Sequence, residues 1–376
     1  MNLAVYAVQT SREPIMFVQN VWYVAAFESE FDQPFVARRL LDVPVLMFRT
    51  SAGQLCAMDD ACPHRLLPLS QGKRVGDEIR CGYHGMCFSA QGECTHVPGQ
   101  SGIPAAARVK TYPLELRHGL AWIWLGDETL ADPELIPDLH WNNSLEWAAS
   151  RGYHNIGANF RLLNDNLLDL SHETYVHEDT IGNDEEESIA NYAVNVTVEA
   201  NSLTRAHREM PNIEAPPFFA MSLGGDCVIN RWQSAINLVP SINLTIVGFH
   251  PVDQDRSGAL IGHVLHLLTP ETETSTHYFW AFVRNYKIDD EAMTESVQKA
   301  IAATFDQDKA ILEIQQKQMQ ERKTEVPTVA IKLDQAPIQA RRLLEQRLKD
   351  EAENPAHVVA PPKLVPEHSF ALLEEV

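Results

Sequence analysis

The sequence predicts an α+β chain of two domains: a small all-β domain, then a larger one in which helices wrap an antiparallel sheet. Three observations carry that expectation. Residues 16 to about 130 hold short runs of β-branched and aromatic residues separated by turn residues. Residues 190–286 alternate in strand fashion. Helical stretches cover about 155–178, 290–322 and 338–351.

Taken in order, residues 1–15 read as an N-terminal extension, because Leu3 to Val8 is too short for a signal peptide and no basic flank precedes it. The first domain, 16–135, has strand-like runs at Trp22–Val24, Val43–Phe48, Leu55–Met58, Val109–Leu114 and Ala121–Leu125, with a turn at Gly53. Asp127–Pro137 reads as the linker. The second domain, 136–376, begins with the first helical stretch and a solvated acidic loop at 179–190 that holds the run Glu185–Glu187. Its strands include Leu244–Val247, Val264–Leu268 and Tyr278–Val283.

The 376 residues, 45% of them hydrophobic, suffice for two cores. A net charge of −21 disfavours duplex nucleic acid and anionic membrane surfaces. No apolar run approaches the roughly 20 residues of a membrane span, and a cytoplasmic protein is expected. Five of the six cysteines lie between Cys56 and Cys94, which fits a metal-binding region better than a disulfide framework. Cys56, Cys87, Cys94 and Cys227 are expected to be free thiols. The sequence has no G-x-G-x-x-G after a strand and no P-loop, so nothing in it predicts a nucleotide site.

The first chemical motif is Cys62-Pro63-His64 and, after sixteen intervening residues, Cys81-Gly82-Tyr83-His84. Each pair is mixed, Cys first and His second. Zinc fingers favour other spacings. Two Cys and two His are also the ligand set of a Rieske 2Fe-2S centre, where one iron takes sulfur and the other nitrogen. A structural zinc ion is the competing reading.

The second motif is Asp169, His172 and His177. Histidines five apart do not share a face of a regular helix, because five residues turn about 500°. They reach one metal only if the helix bulges or ends between them; otherwise they are two half-buried histidines with ordinary partners. A non-haem Fe(II) site needs a carboxylate as well. On the helix at 290–322, Met293, Val297, Ile301, Phe305, Leu312 and Met319 form an apolar stripe. Asp308 falls on it, whereas Asp306, about 200° away, should face water. A carboxylate on a buried stripe needs a metal or a cationic partner. Asp308 is the expected ligand, with a pairing to Arg or Lys as the alternative. Trp280 and Phe282 alternate with Phe279, so one set faces inward and can stack on an aromatic ring. Arg231, His207, His250 and Arg284 are candidates to hold a substrate carboxylate or hydroxyl.

Cys62-Pro63-His64-Arg65 and Cys81-Gly82-Tyr83-His84-Gly85, followed by Phe88 and Gly92, resemble the cluster loops of Rieske oxygenases, which often read C-P-Y-H-G-W. Here Gly82 stands for that Pro and Met86 for that Trp. Asn164 to His177, Thr269 to Ser275 and Tyr278-Phe279-Trp280 resemble Rieske aromatic oxygenases of the vanillate O-demethylase type. The resemblance implies an N-terminal all-β Rieske domain and a C-terminal helix-grip catalytic domain. It implies a 2Fe-2S cluster on Cys62, His64, Cys81 and His84, and a mononuclear non-haem Fe(II) on His172, His177 and Asp308. It implies a head-to-tail homotrimer in which Asp169 links His172 to His84 of the partner subunit, and it places Asn166 near the iron. Electrons would come from NADH through a separate flavin and iron–sulfur reductase. The reaction it implies is O2-dependent demethylation of a methoxylated aromatic acid, releasing formaldehyde. Ring hydroxylation, dihydroxylation and N-demethylation share the same metal motifs. A plain electron carrier or a zinc-stabilised binding module would not need the second domain.

Overall fold

The computed structural model describes residues 16–183, 185, 188–322 and 329–365. The extension expected over 1–15 lies outside the described residues, as do Asp184, Glu186 and Glu187 of the acidic loop. Among the described residues no helix is long and apolar enough to cross a membrane.

The N-terminal half is built from three small sheets. One pairs Trp22–Phe27 with Leu120–Trp124 and Leu114–Arg117. A second runs Val36–Leu40, Val43–Arg49, Leu55–Asp59 and Thr111–Tyr112. The third, Lys73–Val75, Glu78–Arg80, Cys87–Phe88 and Cys94–His96, carries the second Cys/His pair on the loop between its middle strands. The single strand expected at Val109–Leu114 is two, divided at Pro113, and the pieces join different sheets. Proline has no N–H to continue a ladder.

The C-terminal half is a seven-stranded antiparallel sheet. Its order is Ala148–Ile156, Ser275–Arg284, Leu260–Thr272, Ile242–Pro251, Val228–Leu238, Leu203–Glu214 and Asn195–Glu199. The first strand in the chain lies at one edge and the second at the other, so residues 157–194 must cross the sheet. That crossing carries α1 (Phe160–Leu168) and α2 (Glu173–Val176). After α3 (Pro217–Leu223), the long α4 (Glu291–Glu321) packs on Ala148–Ile156 and Ser275–Arg284. The last helix, α5 (Gln335–Glu353), lies against α1 and Leu203–Glu214.

Both faces of this sheet are buried. Trp280, Phe282 and Val264 meet Phe305, Val297 and Ile301 of α4 in one cluster. Phe279, Leu265 and Leu244 meet Trp22, Trp122 and Trp124 of the N-terminal half in another. Asp127–Pro137 is therefore no loose linker. Asp127 and Asp132 cap two 3-10 turns, and Ile136 is buried in the second cluster.

The helix expected over 155–178 is the main correction. Strand continues to Ile156, and α1 starts only at Phe160, capped by Asn159. It stops at Asp169, whose carboxylate accepts from Ser171 N at 3.0 Å and so caps a new 3-10 turn, Leu170–His172. That turn runs directly into α2.

Candidate active site

The two N-terminal loops have the same construction. In each, the Cys is buried (Cys62 2% and Cys81 3% exposed) and the His stands in solvent. Cys62 N donates to Leu67 O, and Cys81 N donates to Met86 O at 2.8 Å, which closes both loops. His64 and His84 lie with ring centroids 4.5 Å apart, and Tyr83 lies against His84 at 3.9 Å. Gly82 lets the loops approach: a Cβ there would meet Gln71 O at 2.8 Å. Gly85 takes φ +74°, which other residues adopt at a cost. Among the described residues, the group of metal-ligating side chains that converges within 4.8 Å is elsewhere, at His172, His177 and Asp308. Ligands of one tetrahedral zinc would converge as closely. The Cys/His set instead divides into an inner sulfur pair and an outer nitrogen pair. That division fits a two-iron cluster.

The second site forms where the crossing segment meets α4. The break at Asp169 answers the spacing problem: His172 ends the 3-10 turn, and His177 follows the last residue of α2. Asp308, 6% exposed, projects from the middle of α4. Its Oδ1 is 3.4 Å from His172 Nε2 and 3.2 Å from His177 Nε2. Each imidazole is oriented from behind. His172 Nδ1–H donates to the Asp169 backbone carbonyl at 2.6 Å, and His177 Nδ1–H donates to Gln307 Oε1 at 2.8 Å. Both Nε2 atoms are thereby left as ligands. Asn166 Nδ2 donates to Asp308 Oδ1 at 3.1 Å.

Without a cation between them, the three side chains balance one another's charge. Burial by itself would raise the Asp308 carboxyl, but hydrogen bonds from the two imidazoles outweigh it and hold it well below the usual carboxylate range. Burial would lower His172; contact with Asp308 outweighs it and pushes the imidazole up to about 9. Two histidines and one carboxylate on one side of a space suit ferrous iron with open positions.

The candidate ligands form part of the wall of a cavity of about 60 Å³. Leu167, Phe218, Val247, Val264, Phe282 and Ile301 make most of it apolar. An apolar cavity against a ligand triad suits a small, largely apolar molecule.

Sequence comparison agrees with the geometry. Residues 21–113 match the Rieske [2Fe-2S] domain, and residues 156–350 match the vanillate O-demethylase oxygenase C-terminal domain. The chain belongs to the Rieske oxygenases of the vanillate O-demethylase type. It is 36% identical to a putative toluene-4-sulfonate monooxygenase system iron-sulfur subunit of Comamonas testosteroni, over 89% of this chain and 98% of that one. It is 34% identical to a vanillate O-demethylase oxygenase subunit of Pseudomonas sp. (strain HR199 / DSM 7063), over 90% and 97%. The crystal structure of dicamba monooxygenase bound to 3,6-dichlorosalicylic acid superposes with a TM-score of 0.84 at 31% identity, covering 89% of this chain and 99% of that one.

The Rieske oxygenase brings His172, His177, Asp308 and Asn166 together. Asp306 is exposed and pairs with His154 at 3.2 Å. Asp169 meets His172 through its backbone carbonyl, while its carboxylate caps the 3-10 turn. The stripe on α4 holds from Val297 to Leu312, but Met319 is exposed.

Of the four proposed anchors, only Arg231 is part of the cavity wall. It is already engaged, with Nη2 2.9 Å from Glu173 Oε2. Arg284 is held by Lys287 O, Asp290 O and Thr294 Oγ1. His207 bonds Ser234 and Glu209, and His250 bonds Pro251 O. Phe282 faces the cavity. Trp280 packs edge-on to Phe305, and Phe279 lies on the opposite face of the sheet.

Sequence reasoning missed Gln307, Glu173, Gln233 and His266. Nothing in one sequence marks Gln307, one residue from Asp308. Glu173 had a faint signal, as a charge inside the run Leu170–Val176. Burial lowers His266 to about 3, so this imidazole is neutral; its Nδ1 lies 2.6 Å from Tyr278 Oη.

Proposed function

We propose that this oxygenase component demethylates a methoxylated aromatic compound, giving a phenol and formaldehyde. One observation carries the reading: the Nε2 atoms of His172 and His177 meet Asp308 at the wall of an apolar cavity, in a chain that also carries the four-residue Rieske ligand set. The balance is aryl methyl ether, O2, two electrons and two protons to phenol, formaldehyde and water. Hydroxylation of the methoxy carbon gives a hemiacetal, which collapses to the products.

In this reading Cys62, His64, Cys81 and His84 hold the 2Fe-2S cluster, and His172, His177 and Asp308 hold Fe(II). When bound, the two centres supply one-electron transfer and oxygen activation. The chain's own residues do the rest. Gln307 and the Asp169 carbonyl fix the imidazoles, Asn166 steadies the Asp308 carboxylate, and the apolar wall keeps water from the methoxy carbon. Residues 16–135 form the electron-entry domain and 136–376 the catalytic domain. Electrons come from NADH through a separate flavin and iron–sulfur reductase in the cytoplasm. In this reading the exposed His84 and the half-buried Asp169 meet across the interface of a head-to-tail homotrimer. The acid group expected on the substrate came from the resemblance; of the four side chains named as candidates to hold it, Arg231 alone is in the cavity wall and is committed to Glu173. The reading kept here is therefore the methoxylated aromatic without that group.

Two measurements test this. Iron and acid-labile sulfide should be about three and two per chain; two irons would leave an electron carrier. Methoxylated arenes incubated with NADH and a surrogate reductase should release formaldehyde. Ring-hydroxylated products without formaldehyde would overturn demethylation.

A further inference from the structure

His172 and His177 flank α2, a helix of four residues. A single turn has too few hydrogen bonds to hold its own shape. Gln307 and the Asp169 carbonyl orient the two imidazole rings, but the backbone that carries the rings needs an anchor of its own.

Arg231, on the strand Val228–Leu238, ties that backbone to the sheet at two points. Its Nη2 donates to Glu173 Oε2 at 2.9 Å, and its Nη1 donates to Ile181 O at 3.2 Å. Glu173 follows His172 directly, and Ile181 lies four residues beyond His177. One guanidinium therefore closes a loop of chain that starts beside His172 and contains His177. Gln233, on the same strand, donates from Nε2 to Glu173 Oε1 at 2.8 Å. The guanidinium also lies over the Phe219 ring, 4.3 Å from its centre. Arg231, Glu173 and Gln233 are 1%, 2% and 3% exposed, so water does not compete for these bonds.

A buried ion pair contributes little net stability, because desolvating two charges offsets their attraction. What this one fixes is position. The planar fork of an arginine holds two acceptors at a set separation, and here each acceptor belongs to one end of the ligand-bearing segment. We propose that Arg231 is a positioning residue for the mononuclear iron, a clasp that acts through Glu173 and the Ile181 carbonyl to set how His172 and His177 approach Asp308. This rests on those three side chains being the iron ligands.

The test compares Arg231→Lys with Arg284→Lys in the holoenzyme. Lysine keeps a positive charge opposite Glu173 but, as a point donor on a flexible stem, does not hold Glu173 and Ile181 together. Arg284 is the matched control: it is buried and donates to Lys287 O, Asp290 O and Thr294 Oγ1. Thr294 and Asp308 are both on α4, roughly 20 Å apart along its axis. Metal competition reads iron affinity. The paramagnetic resonance signal of the nitric oxide adduct of Fe(II), recorded with the cluster oxidised and therefore silent, reads the geometry of the site. Arg231→Lys should weaken iron binding by about 10–100-fold and change the shape of that signal, with the Rieske absorbance unaltered. Arg284→Lys should lower thermal stability and leave both iron readouts as in the wild type. If Arg231→Lys fails to fold, Gln233→Leu decides: it removes one donor to Glu173 and should move both iron readouts in the same direction. Unchanged readouts in the folded variant, or an equal loss of iron in Arg284→Lys, overturn the proposal. An Asp308→Ala variant that keeps its iron would remove the ligand assignment and the clasp with it, whereas an unaltered site in Arg231→Lys removes the clasp alone.

Discussion

Cys62 and Cys81 are buried, while His64 and His84, two and three residues further on, stand in solvent. At the other site His177 and Asp308 are enclosed, and His172 is half-buried. The N-terminal candidate ligands come from two tight loops among the small sheets; the C-terminal ones come from a broken helix and a long intact one. The difference follows from what each site has to do. A centre that passes electrons between proteins needs its outer ligands at the surface. A centre that handles O2 beside a substrate needs water kept away. The first is therefore built on surface loops, and the second lies between a sheet and its covering helices.

The sharpest way to break this contrast is Asp308→Ala. It should remove the mononuclear iron and lower turnover by about a thousandfold or more, leaving the Rieske absorbance intact. Iron analysis and the visible spectrum check it, and unchanged iron would discard Asp308 as a ligand. Asp169→Ala comes next: both metals should stay and turnover should fall by about a hundredfold. The carbonyl that orients His172 belongs to the backbone and survives the substitution, so the loss would report the carboxylate. Gln307→Leu should weaken iron binding by about 10–100-fold, because His177 loses its acceptor. Metal competition measures it.

Acid stability separates the two regions more gently. Burial holds His263 and His266, both in the large sheet, near about 3. Between about 3 and the ordinary value of 6.5, the unfolded chain binds protons that the folded chain does not. Stability should therefore be complete above 6.5 and fall as pH drops, by up to about 1.4 kcal/mol per pH unit for each histidine. His263→Phe should flatten that slope in denaturant titrations; an unchanged slope would show that this residue takes no part. Smallest of all, Gly85→Ala should cost about 1 kcal/mol at a positive φ and loosen one cluster loop. Cluster content after mild heating reads it.

Much of this molecule was legible in one dimension. The Cys/His pairs are local, so their spacing reports directly on two loops. Asp308 was found on α4 because a 31-residue helix keeps its phase, and one carboxylate on the apolar stripe stands out from Asp306 on the wet side. The strands at 242–284 were equally plain, but with both sheet faces buried, their pattern could not say whether Phe279 or Phe282 faced the cavity.

The residue order alone singled out the Cys/His pairs, the two-part α+β plan and Asp308 as the carboxylate that meets His172 and His177, because each shows as a pattern within a single stretch of chain. The tertiary structure decided how His172 and His177 reach one point, through a helix ended by Asp169. It also placed Gln307 behind His177 and set Glu173 against Arg231. Those are contacts between segments far apart in the chain, and their charges and hydrogen bonds have meaning only once the fold has buried them side by side.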